Sequence, residues 1–575
     1  MGVEKIDSSV TLENAPDDAL AHEYNTAGLS EKQIALLEKE RRINAEYVAF
    51  AGDSLFSTAY SLDARIAKNP NAFPRAIYYI LPNEFGERFT YYGLKAFLNR
   101  YLIFIGNEET SAKSMVHAWQ MATYFFPLIG AAISDSYLGK YKTIVYLSLT
   151  YLVGNIILTI TAIPALRTNW SVLLGLYLIG IGTGGIKPCV GPHGADQFLK
   201  IQADGLRRFF SYFYIAINAG AVLTGFATPA LKDAFGCFGD AIGTGDDAEP
   251  VCYFAGYMLP TVVFAIVTAL FIYGERYYRV VPPVGEFVPF HMFAVIGAAV
   301  AGWIGATQED RAKKTFWQFG AGPYGEQFAE ETGEFMRMLL MIFPFSFVWM
   351  VYDQQSTEWS DQYDRMDTYF GSMRLSPEVW IAIVNPIMVV LLVYLLSTFL
   401  YPWLERRGLA VTPLRRMVLG SMLVTVGFLL SGLLQSKVYD GYGGTIDEKT
   451  RLTDPKTCKG KCVHGAWQLP QWFVLSLGES LFSPTGSEFA YTQVGKSMRA
   501  FSTSFWLLMV SLGNFYVVAI EASLNSEANV ENWTGKNLPK KYFLYTGISA
   551  AANVCLLVMA YFYKYKAGSS TSAKQ

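Results

Sequence analysis

Glu84, Glu87, Arg88, Tyr91, Tyr92 and Lys95 lie within twelve positions of an otherwise apolar stretch, Ile77 to Ile105. At about 100° per residue on a helix they share one face. Acids and bases on a single stripe can pair with one another, bind a charged solute, or take up and release a proton. The stretch is long enough to cross a bilayer, since about 20 residues at about 1.5 Å each span the hydrocarbon. A charge at membrane depth costs about 2.5 kcal/mol or more. Either this is a soluble helix with a wet face, or it is a membrane helix whose stripe turns into a bundle and works there.

Composition favours the membrane. The chain has 575 residues, 52% hydrophobic, 15% aromatic and 16% charged, with a mean hydropathy of +0.24. Soluble domains carry about 25% charged residues. A formal net charge of −2 argues against a nucleic-acid partner. The first 70 residues are polar and acidic without an apolar run, so no cleavable signal is expected. Within them, Tyr24 to Phe50 reads as a soluble helix with charges on one side.

Twelve apolar spans can be counted, at 77–105, 117–137, 142–165, 170–190, 209–233, 253–274, 336–354, 379–401, 414–436, 470–491, 500–523 and 541–563. Tyr277 to Glu334 joins the sixth to the seventh. Its apolar part, Val284 to Ala306, is read as an extra or lateral helix, because a thirteenth crossing would spoil the topology. The predicted domains are a cytosolic arm 1–76, a six-helix bundle 77–275, a cytoplasmic linker 276–335, a second six-helix bundle 336–565 and a cytosolic tail 566–575. Transporters with two related halves hold their solute at the shared interface near midplane.

Basic residues set the orientation. With both termini inside, the short cytoplasmic connections hold Lys140, Lys142, Arg207, Arg208, Arg276, Arg279, Arg406, Arg407, Arg415, Arg416, Lys496 and Arg499. Cys237 with Cys252 and Cys458 with Cys462 then fall in external loops, where disulfides are expected. Cys189 and Cys555 lie in spans as packing residues. Cys458-Lys-Gly-Lys-Cys462 is half a zinc pattern without a partner of suitable spacing, so no metal is predicted. The glycosylation sequons at Asn169 and Asn532 are also external.

The spans carry further polar groups. His117 and Tyr124 lie in the second; the histidine reads either as a hydrogen-bonded structural residue or as a proton site. Lys187 sits in the fourth, within GIGTGGIKP. No strand precedes these glycines, so they serve helix packing rather than a dinucleotide. Lys187 needs an anion, and Glu84 or Glu87 is the expected one. Tyr214 and Asn218 share a face of the fifth span, and Trp349 and Asp353 share a face of the seventh, which Arg337 opens. Asn385, Glu488 and Trp506 lie in the eighth, tenth and eleventh.

Glu84-x-x-Glu87-Arg88-Phe89-Thr90-Tyr91-Tyr92-Gly93 resembles the ExxERFxYYG element of the proton-dependent oligopeptide transporter family. The run Phe209 to Gly220 resembles its second signature, and Gly184-Gly-Ile-Lys187-Pro188, Asp353-Gln-Gln355, Asn385-Pro386 and Gly486-Ser-Glu488-Phe-Ala-Tyr491 match in order. The resemblance covers residues 77–563 and is to the fungal or other eukaryotic branch. It implies an all-α membrane protein with the major facilitator fold. It also implies a substrate carboxylate at Arg88, Lys95 and Lys187, and a substrate amine at Glu488. Tyr91, Tyr92, Tyr124, Tyr214, Asn218, Trp349, Asn385 and Trp506 would line the cavity. Glu84, Glu87, His117 and Asp353 would carry proton coupling. In animal members the counterpart of Arg337 pairs with an aspartate on the eighth span. Ser397 stands there in this chain, so a gate at Arg337 departs from the pattern.

The expected activity is proton-coupled import of di- and tripeptides across the plasma membrane by a monomeric unit without a cofactor. A zwitterion suits a base cluster facing an acid, and aromatic walls accept varied side chains. A nitrate or other small-anion carrier of the same fold is the alternative, but it would not need Glu488. A receptor without transport is a third reading. No nucleophile–base set or phosphate loop suggests an enzyme.

Overall fold

The computed structural model describes residues 73–565 apart from 199–202, 243–248, 282, 284–287, 409–411, 442–462, 496–497 and 525–536. The expected helix in the N-terminal arm, the 566–575 tail, Cys458, Cys462 and Asn532 lie outside the described residues.

The described residues are almost entirely helical. The first group is α1 (Ile77–Phe104), α2 (Glu109–Ile133), α3 (Gly139–Thr161), α4 (Asn169–Ala195), α5 (Ala203–Asp233) and α6 (Tyr253–Tyr273). A separate helix, α7 (Val288–Gly305), follows where a lateral helix was expected and packs on residues 317–320. The second group is α8 (Gly325–Ile342), continued by α9 (Phe345–Tyr352) and α10 (Glu358–Asp364), then α11 (Pro377–Leu395), α12 (Pro413–Gly441), α13 (Leu469–Thr492), α14 (Arg499–Leu524) and α15 (Leu538–Phe562). Two short hairpins interrupt the connections, one pairing Ala241 with Pro250 and the other Tyr369 with Arg374.

Buried apolar side chains fall into two cores. One draws on residues from Ala76 to Tyr278 and the other on residues from Met292 to Leu556. The same packing device recurs in both groups. A Cβ on Gly154 of α3 would lie 2.9 Å from the Gly175 oxygen of α4, and one on Gly478 of α13 would lie 2.6 Å from the Gly420 oxygen of α12. Only glycine lets these backbones touch.

Among the described residues, eight helices are long and apolar enough to cross a bilayer, or nine if the bent α8–α9–α10 run, angled by 44°, counts as one. The difference from the expected twelve has physical sources. The α2–α3 run is continuous by length, yet the chain turns at Gly139, whose φ is +72°. The helix α1 misses the apolar criterion because it carries mid-helix acids and bases, and α13 because Glu479, Glu488 and its many serine, glycine and proline residues lower its hydropathy. Contacts between the groups run chiefly through α2 with α14 and α5 with α11. Cys237 and Cys252 are bonded, with Cα atoms 4.9 Å apart. Asn169 is exposed at the start of α4, where its amide hydrogen-bonds Asn107. Its neighbour Thr168 closes the helix with a capping box to Ser171.

Candidate functional site

A cavity of about 290 Å³ lies between the two groups. Tyr91, Tyr92 and Lys95 of α1, Tyr124 of α2, and Tyr214 and Asn218 of α5 line one side. Trp349 of α9, Asp353, Asn385 of α11 and Trp506 of α14 line the other. Spacing of three or four residues explains why each helix offers its residues together. The aromatic wall is rigid: Trp506 meets Phe345, Trp349 and Phe482 edge to face.

Glu84, Glu87, Arg88 and Lys187 lie beside this cavity rather than on its surface. Arg88 Nε is 2.9 Å from Glu84 and 2.7 Å from Glu87. The other Glu87 oxygen accepts from the Thr183 hydroxyl of α4. The expected pairing of Lys187 with Glu84 or Glu87 is therefore corrected. Arg88 is one turn from Glu84 and adjacent to Glu87, and its planar fork takes both. Lys187 Nζ instead sits 4.4 Å from the Tyr91 ring centre and 4.1 Å from that of Tyr124. Among the described residues this buried ammonium has no hydrogen-bond partner. Cation–π contact holds it while leaving its donors unspent.

A second polar chain crosses between the groups. Lys95 Nζ is 3.4 Å from Asp353 Oδ1, and Asp353 Oδ2 accepts from Asn514 Nδ2 at 2.6 Å. Asn514 Oδ1 faces His117 Nδ1 at 2.7 Å, and His117 Nε2 faces the Thr357 hydroxyl at 3.0 Å. Because the Asn514 amide donates to Asp353, its oxygen must accept from His117. Neutral His117 then accepts from Thr357 at Nε2. Protonated His117 donates there, and the Thr357 hydroxyl turns to the Gln354 carbonyl 3.4 Å away. Either protonation state is fully hydrogen-bonded.

The acid that faces the cavity is Glu479, not Glu488. Glu479 lines it together with Tyr352 and accepts from Asn385 Nδ2 at 2.9 Å. Glu488 is exposed and does not line it. Nine residues at about 100° each place the two on opposite faces of α13. Depth carries the same signal: Glu479 lies about 15 Å along the helix and Glu488 about 28 Å, near its end. Tyr352 and Asn514 carry no signal in the sequence, and Gln355 stands there only as part of the Asp353-Gln-Gln355 match. Arg337 lies on α8 beside Tyr563, away from the cavity, and the Ser397 hydroxyl bonds its own helix at Tyr394.

The cavity is closed at one end and open at the other. At the closed end ion pairs join the groups, among them Arg100 with Asp364 at 2.8 Å and Lys113 with Glu358 at 3.0 Å. Toward the other end α5 loses its packing: Phe210, Tyr212, Tyr214 and Ile215 are exposed almost all round the helix.

The family described as the POT family matches residues 141–536. Peptide transporter family 1 of Drosophila melanogaster is 37% identical over 380 residues, covering 65% of this chain and 49% of that one. Solute carrier family 15 member 2 of Mus musculus is 35% identical over 376 residues, covering 64% of this chain and 50% of that one. The chain thus spans about half the length of the curated relatives it matches. The crystal structure of the POT family transporter PepTSo is 25% identical with a TM-score of 0.69, covering 85% of this chain and 98% of that one. An auto-inhibited POT family peptide transporter gives a TM-score of 0.67 at 24% identity, covering 87% of this chain and all of that one. The fold is that of the major facilitator-type peptide transporters.

Proposed function

The chain belongs to the POT family, and we propose that it is a proton-coupled symporter that imports di- and tripeptides by alternating access. The observation that carries this is the polarity of the cavity. Lys95, with Arg88 and Lys187 behind the tyrosines, lies on the first six-helix group, and Glu479 lies on the second. A peptide backbone is a zwitterion whose carboxylate and amine suit those two sides. Asn218 and Asn385 can bond its amide without regard to side chain, and the tryptophans give it apolar walls.

Coupling follows from the pairs that must break. A proton on Glu84 or Glu87 weakens its hold on Arg88, whose guanidinium then turns to the substrate carboxylate. A carboxylate arriving at Lys95 competes with Asp353, and His117 can take up the charge change through Asn514. With the N-terminus inside, the ion-paired end is external and the open end is cytoplasmic. The conformation is then the inward-facing one. We place the protein in the plasma membrane, as a monomeric transport unit with both termini cytoplasmic and glycans on Asn169 and Asn532.

Binding tests the substrate class directly. Dialanine at a hundred times its Kd should stabilise the purified protein by about 2.7 kcal/mol, seen as a rise in melting temperature. N-acetylated dialanine and dialanine amide should give little rise, since each removes one terminal charge. Stabilisation by nitrate and not by the dipeptide would transfer the site to small anions.

A further inference from the structure

A second cavity, of about 540 Å³, lies between the start of α12 and the end of α15, and it shares no lining residue with the cavity between the groups. Val418, Leu419 and Met422 of α12 and Leu557 of α15 line its apolar part. Helical rise puts Met422 about 14 Å from the first residue of α12. From Ser421 onward polar bonds draw the two helices together. Ser421 Oγ is 2.5 Å from Asn553 Oδ1, and Asn553 Nδ2 donates to Thr425 Oγ1 at 2.7 Å. Nearer the end of the pair, the Leu414 N–H donates to the Tyr565 hydroxyl at 3.2 Å. Tyr563 and Tyr565 pack on each other at 5.7 Å and on Phe489 of α13 at 5.3 and 6.4 Å. The groove is therefore held in shape by its own walls.

Its chemistry changes along its length. At the end of the helix pair Arg415 lines it, and among the described residues no carboxylate does. The first turn of α12 holds Arg415 and Arg416 and no acid, so the positive end of the helix dipole adds to the guanidinium field. Arg416 lies over the Tyr401 ring at 4.9 Å, which makes Arg415 the cation of the groove. The Tyr565 hydroxyl accepts at this end and keeps its hydrogen to donate. Arg406, Arg407 and Lys564 are exposed in the flanking chain. The other part of the groove is aliphatic and uncovered: Leu419 is 51% and Leu557 46% exposed. A soluble anion would satisfy the first part and leave the second empty. A sterol would do the reverse.

On the orientation given above, this end of the pair is cytoplasmic, and the cytoplasmic leaflet carries the anionic lipids. We propose that the groove binds one anionic phospholipid of that leaflet. Its phosphate lies at Arg415 and the Tyr565 hydroxyl, and one acyl chain runs inward along Val418, Met422 and Leu557. The charge of the headgroup answers the guanidinium and the helix dipole together. The chain covers aliphatic surface that the protein leaves bare. Once seated, the lipid bridges α12 and α15 on the cytoplasmic side of the Ser421–Asn553 bonds and so braces the second helix group from outside.

The test titrates the delipidated full-length protein, in neutral detergent, with dioleoylphosphatidylserine or dioleoylphosphatidylcholine and counts bound lipid by native mass spectrometry. The serine lipid should fill one site with an apparent Kd about fivefold below that of the choline lipid, as for one arginine beside a lipid charge. Arg415→Gln should remove that preference and leave choline-lipid affinity unchanged. Leu557→Trp, which fills the apolar part from an exposed position, should weaken both lipids. Both positions are exposed, so each variant without lipid should melt with the parent. Glycerophosphoserine, the headgroup without chains, should not displace the lipid. Equal affinity for the two lipids overturns the proposal. So does a serine preference that survives Arg415→Gln, an affinity that survives Leu557→Trp, or displacement by glycerophosphoserine. No substrate is present and both ends of the protein are accessible in detergent, so loss of the peptide reading or of the orientation is told apart from loss of the lipid site.

Discussion

Glu479→Gln is expected to lower dipeptide kcat/KM by about thirty- to a hundredfold, because hydrogen bonds to a charged group in a closed site are worth about 2–3 kcal/mol. The amide keeps the shape of the side chain and can still accept from Asn385, so the fold should hold. Only the charge that answers a peptide amine is removed. Glu488→Gln, an exposed change, should stay within about twofold of the parent. Initial-rate uptake in cells, normalised to surface protein, compares the two. The reverse order, with Glu488 sensitive and Glu479 indifferent, would mean that the amine end lies elsewhere.

Glu87→Gln should abolish accumulation while sparing exchange. Glu87 is 1% exposed, with one oxygen toward Arg88 and the other accepting from Thr183. A glutamine there resembles the permanently protonated acid: it can still accept from Thr183 but no longer holds the guanidinium by charge. The substrate side of the cycle remains, and the proton step does not. A pH gradient of one unit supplies about 1.4 kcal/mol per proton, enough for about tenfold accumulation. The variant should lose that tenfold, yet preloaded vesicles should still swap labelled for unlabelled peptide at a rate near the parent's. Retained gradient-driven accumulation would remove Glu87 from the coupling path.

Most helices were legible because their apolar runs are long and their interruptions short. The charged stripe of α1 was legible because helical spacing alone puts Glu84, Glu87, Arg88 and Lys95 on one face. Choices that depend on three-dimensional order were not. Glu479 and Glu488 share a helix but face opposite ways; depth along the helix favours Glu479, and the position of α11 shows that it is the one that meets the cavity. Lys187 had two plausible anions in the sequence. It has neither in the structure, because Arg88 reaches them first from within α1. The external network escaped entirely. Glu109, Glu358, Asp361, Glu521 and Lys541 are scattered over 433 residues of the chain, linked through Lys113 and Glu358, each resembling the ordinary polar flank of a membrane helix. Three-dimensional proximity, not spacing, makes them one unit.

Uptake of labelled dipeptide into proteoliposomes under an imposed pH gradient tests the account most directly. The prediction is accumulation above the external concentration with acid outside, collapse to equilibrium when a protonophore dissipates the gradient, and no competition from excess nitrate. Uptake indifferent to the gradient, or displaced by nitrate, would contradict it.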